Sequence, residues 1–213
     1  MQITLDNVLP TYISREKAAQ SALWCQQLEL PKQCFVHIVA PSGTGKTSLI
    51  HFLYGLRNSY TGEIRYDGQP IRNFTADDFA EWRQRHLSVV FQDLRVFPEH
   101  SVWQNIDVKR QLAPFHPNSQ IERMAERLGI ADKLKRICKT CSYGEQQRIA
   151  IIRALQQPFD YLLLDEPFSH LDEHNRHKAM ELIEEEARAR NASIILADLK
   201  QLDYFHADQI LYL

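Results

Sequence analysis

The sequence predicts an α/β fold: a mostly parallel core sheet, an antiparallel β region near the N-terminus, and an α-helical subdomain inserted into the core. Three observations predict it. An apolar run, Phe35 to Ala40, leads through a glycine-bearing turn into a helical stretch, Ser48 to Leu56. A second apolar run, Tyr161 to Leu164, is continuous rather than alternating, as in a strand buried on both faces of a parallel sheet. Between them, Leu94 to about Leu155 has helical periodicity, broken by Pro98, Pro114, Pro117 and a C-capping Gly129.

The remaining elements follow in chain order. Ile3 to Asn7 and Ala22 to Leu30 read as strands, the second ending at Pro31, with a polar, turn-like Ser14 to Gln20 between them. Gly62 to Tyr66 is a further strand, and the Asp67-Gly68 pair after it is a hairpin turn signal. Thr75, followed by Asp77 and Asp78, marks a helix start, because first-turn carboxylates suit the positive end of the helix dipole; this helix runs to about Arg85. Ser88 to Phe91 is a short strand with Gln92 at its end. Glu173 to Arg190 is a long helix stopping at Asn191, and Ser193 to Ala197 and Gln209 to Leu213 are the last strands.

The chain has 213 residues, 44% of them hydrophobic, enough for a single α/β domain over 1–213 with residues 94–155 as the inserted helical part. Lys and Arg total 25 against 27 Asp and Glu, so no basic field points to nucleic acid. No apolar run approaches the roughly 18 residues of a membrane span, and MQITLDNVLP lacks the apolar core of a secretion signal. A cytosolic protein is expected. Cys25, Cys34, Cys138 and Cys141 are too few and too unevenly spaced for a disulfide framework or a four-ligand zinc site.

Two centres carry chemistry. The stretch Ala40 to Thr47, APSGTGKT, matches G-x-x-x-x-G-K-[ST], with alanine in place of the first glycine. In a strand–turn–helix setting, the backbone NH groups around Pro41, Ser42, Gly43, Thr44 and Gly45 converge on a phosphate. The positive end of a helix opening near Ser48 points at the same place. Lys46 then reaches the β- and γ-phosphates and the Thr47 hydroxyl binds Mg²⁺. Alanine at position 40 costs little where φ stays negative. The second centre is Asp165-Glu166 at the end of a buried strand, the carboxyl edge where ligands bind in open α/β sheets. Asp165 can hold Mg²⁺ while Glu166 orients or deprotonates an attacking water. Together these place the chain among P-loop NTPases.

The order APSGTGKT, VVFQD, CSYGEQQR, LLLDEP, SHLD, spanning nearly the whole chain, resembles the nucleotide-binding subunits of ABC transporters. FQDLRVFPEHSVWQNI and GEQQR are most similar to the branch of the cell-division FtsE, lipoprotein-release and macrolide-export ATPases. The resemblance implies ATP and Mg²⁺ as cofactors, and an integral membrane transporter subunit as partner. It also implies head-to-tail pairing as a homodimer or heterodimer, on the cytoplasmic face of the inner membrane. It assigns Gln92 to Mg²⁺ and the attacking water. Ser142 and Gly144 go to the γ-phosphate of ATP on the other subunit, and Asp172 to the dimer seam. Tyr12 is either the aromatic that stacks on adenine or a plain surface tyrosine. Leu94 to Ile106 would meet the membrane partner, with Phe97, Val102 and Trp103 as contacts or as local packing. APSGTGKTSLI alone also resembles the phosphate loop of guanylate kinases, which need neither GEQQR nor the DEP and LD motifs.

Three residues depart from the family pattern. Cys141 and Tyr143 stand where the signature has leucine and its first glycine. Asp198 or Leu199 stands where a phosphate-clamping histidine is expected, and neither donates as histidine does. His206 lies too far along, and His170 is the other histidine in view. Two readings follow: an active Mg-ATPase driving a membrane partner, or a regulatory subunit that binds ATP and hydrolyses it poorly.

Overall fold

The computed structural model describes residues 1–213. Nine strands and seven helices alternate: β1 (Ile3–Pro10), α1 (Arg15–Ala18), β2 (Gln27–Leu30), β3 (Phe35–Val39), α2 (Lys46–Leu53), β4 (Tyr60–Tyr66), β5 (Gln69–Pro70), α3 (Ala76–Arg85), β6 (Leu87–Val90), α4 (Val102–Leu112), α5 (Asn118–Arg127), α6 (Tyr143–Ala154), β7 (Tyr161–Asp165), α7 (Glu173–Ala189), β8 (Ser193–Asp198) and β9 (Gln209–Tyr212). β2-β1-β4-β5 form an antiparallel sheet, and β6-β7-β8-β3-β9 form a second sheet whose pairings are all parallel.

The parallel sheet is apolar on both faces, and strand alternation sends its side chains into two cores. Leu162, Leu164, Ile194 and Leu196 join one formed with α4 to α7. Tyr161, Leu163, Ile195 and Ala197 join another with α2 and the antiparallel sheet. The Tyr161 hydroxyl, inside that second core, donates to the Leu30 carbonyl at 2.6 Å and ties the two sheets.

Helix starts follow local chemistry. Thr75, Ser101 and Ser142 each cap their helix in a reciprocal box with Asp78, Gln104 and Glu145, worth about 1 kcal/mol apiece. The Ser101 box makes Val102 the first helical residue and turns it fully inward. Val102 is therefore core and not a surface contact. Trp103 also packs on that core, while Phe97 is 47% exposed.

Two boundaries differ from expectation. Only Gln27–Leu30 of the stretch from Ala22 is a strand. Ser21 Oγ accepts from the amides of Leu23 and Trp24, and Cys25 takes φ +60°, so the chain turns there instead of extending. The polar stretch before it contains the short α1, capped by Ser14. The Asp67-Gly68 hairpin forms as read, both residues having positive φ.

Candidate active site

Three segments meet at the carboxyl edge of the parallel sheet: the 40–47 turn after β3, Gln92 after β6, and Asp165-Glu166 at the end of β7. Ala40 is absent from the residues with positive φ, so a methyl group sits there without strain. Gly43 and Gly45 do take positive φ, +83° and +103°. Gly45 is also tightly enclosed: a Cβ there would lie 2.9 Å from the Trp24 ring and 3.2 Å from Ile13. Trp24 further donates its indole NH to the Thr44 carbonyl at 2.9 Å. Thr44 Oγ1 closes the turn onto the Pro41 carbonyl at 2.8 Å. No side chain caps α2, so its first-turn NH groups face the cavity with the helix dipole behind them.

Lys46 is 5% exposed. Its ammonium donates to the carbonyls of Ala40 (2.7 Å) and Pro41 (3.0 Å) and lies 3.4 Å from Glu166 Oε1. The Gln92 amide approaches Glu166 Oε2 at 3.4 Å. Glu166 holds a left-handed backbone, φ +46°, with its NH bonded to the Ala197 carbonyl at 2.9 Å. That twist breaks strand alternation and turns its carboxylate over the phosphate loop. Tyr12, Ser42, Gly43, Gly45, Lys46, Thr47, Ser48, Gln92 and Glu166 line one cavity of about 270 Å³. Tyr12 stands at its mouth, 59% exposed, its hydroxyl 2.5 Å from Ser48 Oγ.

Asp165 keeps the alternation and points to the α2 side. It is fully buried, and neither carboxylate oxygen has a hydrogen-bond partner. Burial raises its pKa to about 6; the nearby Thr47 hydroxyl and Lys46 charge offset part of this, and the Glu166 charge adds to it. An orphaned buried carboxylate beside a hydroxyl is a fitting pair of hard oxygen ligands for Mg²⁺. A raised carboxyl pKa means that the folded chain binds the proton more tightly than the unfolded one. Without ligand, the contribution of Asp165 to stability should therefore fall as pH rises from about 4 to about 6, by about 3 kcal/mol, while buried His37, whose pKa burial lowers to about 4, contributes with the opposite sign over the same range. Urea unfolding of wild type and Asp165→Asn checks it: the difference between the two curves should carry the fall.

Not every expected site residue joins the cavity. Ser142, Gly144 and Asp172 do not line it, nor do Pro41, Thr44 and the buried Asp165. Ser142 caps α6 and Asp172 caps α7, where amide bonds from Asn175 hold the Asp172 carboxyl below its ordinary range. Gly144 fits against the His170 carbonyl, which a Cβ would approach to 3.0 Å. Tyr143 lays its ring 4.2 Å from that of His170 and donates its hydroxyl to the Gln92 carbonyl at 3.2 Å. Asp198 ends β8 with Oδ1 accepting from the Leu199 amide at 2.6 Å, so it folds back on its own backbone. Burial holds its pKa up. The His206 side chain is 78% exposed and lies beside Glu184.

Two residues of the site escaped the sequence reading. Trp24 braces the phosphate loop from a stretch read as strand; a large aromatic in a run without alternation is the signal for it. Gln147 is 1% exposed. It links the carbonyl of Glu166 (3.5 Å), Ser169 Oγ (3.3 Å) and the amide of His170 (3.1 Å), and nothing in its local pattern marks it. Trp24→Phe, which keeps a ring and loses the indole NH, should raise KM for ATP about fivefold, the weight of one ordinary hydrogen bond, with kcat little changed. Steady-state kinetics check this.

Comparison with known proteins agrees with this geometry. Residues 26–169 match the family described as ABC transporter. The macrolide export ATP-binding/permease protein MacB of Nitrosomonas europaea is 32% identical over 197 residues, which are 91% of this chain and 30% of MacB. The chain thus spans under a third of that relative's length. The lipoprotein-releasing system ATP-binding protein LolD of Maricaulis maris is 33% identical over 92% of this chain and 86% of its own. The thiamine import ATP-binding protein ThiQ of Histophilus somni is 35% identical over 76% and 74%. Among solved structures, a bacterial Atm1-family ABC exporter with ATP bound superposes with a TM-score of 0.79 at 26% identity, over all of this chain and 37% of that one. A dimeric bacterial ABC transporter cassette shares the fold, with a TM-score of 0.81 at 24% identity, over 99% and 94%. A family match over more than half the chain, a P-loop fold and a phosphate loop facing a paired aspartate and glutamate lead to one conclusion: this chain belongs to the ABC transporter family.

Proposed function

We propose that the chain is the ATP-binding subunit of an ABC transporter-type complex, an ATPase that binds and hydrolyses Mg-ATP to drive a separate membrane subunit. The observation that carries this reading is Lys46, buried between two backbone carbonyls and Glu166 in the turn that faces Asp165. The ammonium there is held by neutral carbonyls and one carboxylate, all of which a triphosphate outcompetes for charge.

On binding, Lys46 turns from Ala40, Pro41 and Glu166 to the phosphate oxygens, and the amides of 42–48 take the remaining negative charge. Tyr12, at the cavity mouth, is placed to meet the base. Thr47, Asp165 and Gln92 would hold Mg²⁺, which supplies charge neutralisation between the phosphates when bound. Glu166, released from Lys46, accepts a proton from the water that attacks the terminal phosphoryl group. Gln92, already against Glu166, orients that water. Phosphoryl transfer needs mainly positioning and charge stabilisation, and these residues supply both.

Ser142, Gly144 and Asp172 lie outside this cavity. We assign them to a second copy's ATP in a head-to-tail pair, since Ser142 opens a helix whose N-terminal dipole suits a phosphate. No helix is long and apolar enough to cross a membrane; coupling at the cytoplasmic face is proposed to run through contact with a membrane subunit. The segment from Leu94 to Ile106, with Phe97 exposed, is the proposed contact. A second reading, a nucleotide-gated subunit with little turnover, is favoured by Tyr143 in the signature and by Asp198 or Leu199 standing where the resemblance implies a histidine. Steady-state phosphate release with nucleotide binding on the same sample tests the proposal. Mg²⁺-dependent turnover supports it; tight ATP binding with no release, even in the presence of a membrane partner, selects the second reading.

A further inference from the structure

Tyr143 takes part in none of the steps above, yet it has a defined place. Its residue type departs from the glycine that the resemblance implies. At the first position of α6 it is 44% exposed, and both its ring and its hydroxyl make contacts. Both contacts lead to Glu166. The hydroxyl donates to the Gln92 carbonyl at 3.2 Å, and the Gln92 side chain reaches Glu166 Oε2 at 3.4 Å. The ring lies 4.2 Å from His170, whose amide donates to Gln147 Oε1 at 3.1 Å. Gln147 in turn donates to the Glu166 carbonyl at 3.5 Å. A closed circuit therefore runs Tyr143, Gln92, Glu166, Gln147, His170 and back to Tyr143.

The Gln92 turn is anchored from the core side by Leu94, 1% exposed, and by Arg95 over the Phe91 ring at 3.9 Å. Asp93 and Arg95 pair with each other in the open, and Leu94 and Arg95 both take positive φ, +56° and +47°. Two consecutive left-handed residues are strained and persist where surrounding contacts over-determine them. Arg153 grips the carbonyls of Leu94 and Arg95 from the core side, the latter at 2.8 Å. Tyr143 grips Gln92 from the solvent side.

We propose that Tyr143 is a positioning residue for ATP hydrolysis: by clamping the Gln92 carbonyl and packing its ring at a tilt against His170, it holds the Gln92 side chain against Glu166. This rests on the assignment of Glu166 above. The circuit also makes the N-terminus of α6 and the Gln92 turn move together. A displacement of either, by nucleotide or by a partner, reaches Glu166 through one phenol.

The test compares wild type with Tyr143→Phe and His170→Ala in the full chain, by amide hydrogen exchange and by ATP kinetics, with Glu166→Gln as control. Tyr143→Phe keeps the ring and removes the bond. Exchange at Leu94 and Arg95 should accelerate about fivefold, and kcat should fall about fivefold, the weight of one ordinary hydrogen bond. KM for ATP should stay unchanged, because Tyr143 bonds to no residue of 41–48. His170→Ala should reproduce both changes. Unchanged exchange at 94 and 95, or wild-type kcat in Tyr143→Phe, overturns the proposal, as does a rise in KM alone. Wild-type turnover no higher than that of Glu166→Gln is a failure of the functional assignment itself; exchange then still accepts or rejects the clamp on the Gln92 turn.

Discussion

Glu166→Gln should lower phosphate release about 10²- to 10⁴-fold, the range for loss of a positioned general base, and leave ATP binding intact. The amide is isosteric, so the cavity keeps its shape. It still accepts a hydrogen bond from Lys46, 3.4 Å away in the native pair, but it cannot take a proton from water. Binding should be equal or tighter, because one negative charge leaves the neighbourhood of the phosphates. Fluorescent-nucleotide titration and phosphate release on the same preparation separate these effects. Equal losses of binding and turnover would mean that Glu166 shapes the loop instead of acting on the water.

Lys46→Met should act on the other side of that division and abolish detectable nucleotide affinity, a loss of about 100-fold or more. A buried ammonium facing a triphosphate supplies charge-assisted hydrogen bonds, roughly twice the strength of neutral ones, in a low-dielectric setting that amplifies them. Methionine fills a similar volume, so the loop should fold. Without nucleotide, the variant should be less stable than wild type by about 1–3 kcal/mol, since methionine leaves two carbonyls and the Glu166 carboxylate without their donor. Calorimetric titration with Mg-ATP and a urea melt without it give the two readings. Retained micromolar binding would shift the weight of recognition to the loop amides.

Much of this was legible because the site sits where chemistry and local structure coincide. The turn between β3 and α2 announces itself through Gly43, Gly45 and Lys46. Asp165 follows an apolar strand whose alternation fixes the side it faces. The Asp67-Gly68 hairpin and the Thr75 and Asp172 helix starts are equally local, each decided by backbone sterics or by one cap. What was not legible depends on packing between distant segments. Trp24 looks like part of a strand until its indole is seen under Thr44, 20 residues away. Val102 reads equally as a partner contact or as local packing until the Ser101 cap is seen to turn it inward. The sequence leaves Asp198 and Leu199 equally placed at the expected histidine position, and only the structure shows the Leu199 amide drawing the Asp198 carboxylate back onto the end of its strand.

The backbone at Glu166 sets a local cost against the placement of a side chain. A non-glycine residue at φ +46° carries a penalty of about 1–2 kcal/mol, which glycine at the same position would not carry. Glu166→Gly should therefore relax this turn, and it would remove the carboxylate that the twist lays 3.4 Å from Lys46; at this residue backbone comfort and the placement of the proposed general base pull in opposite directions.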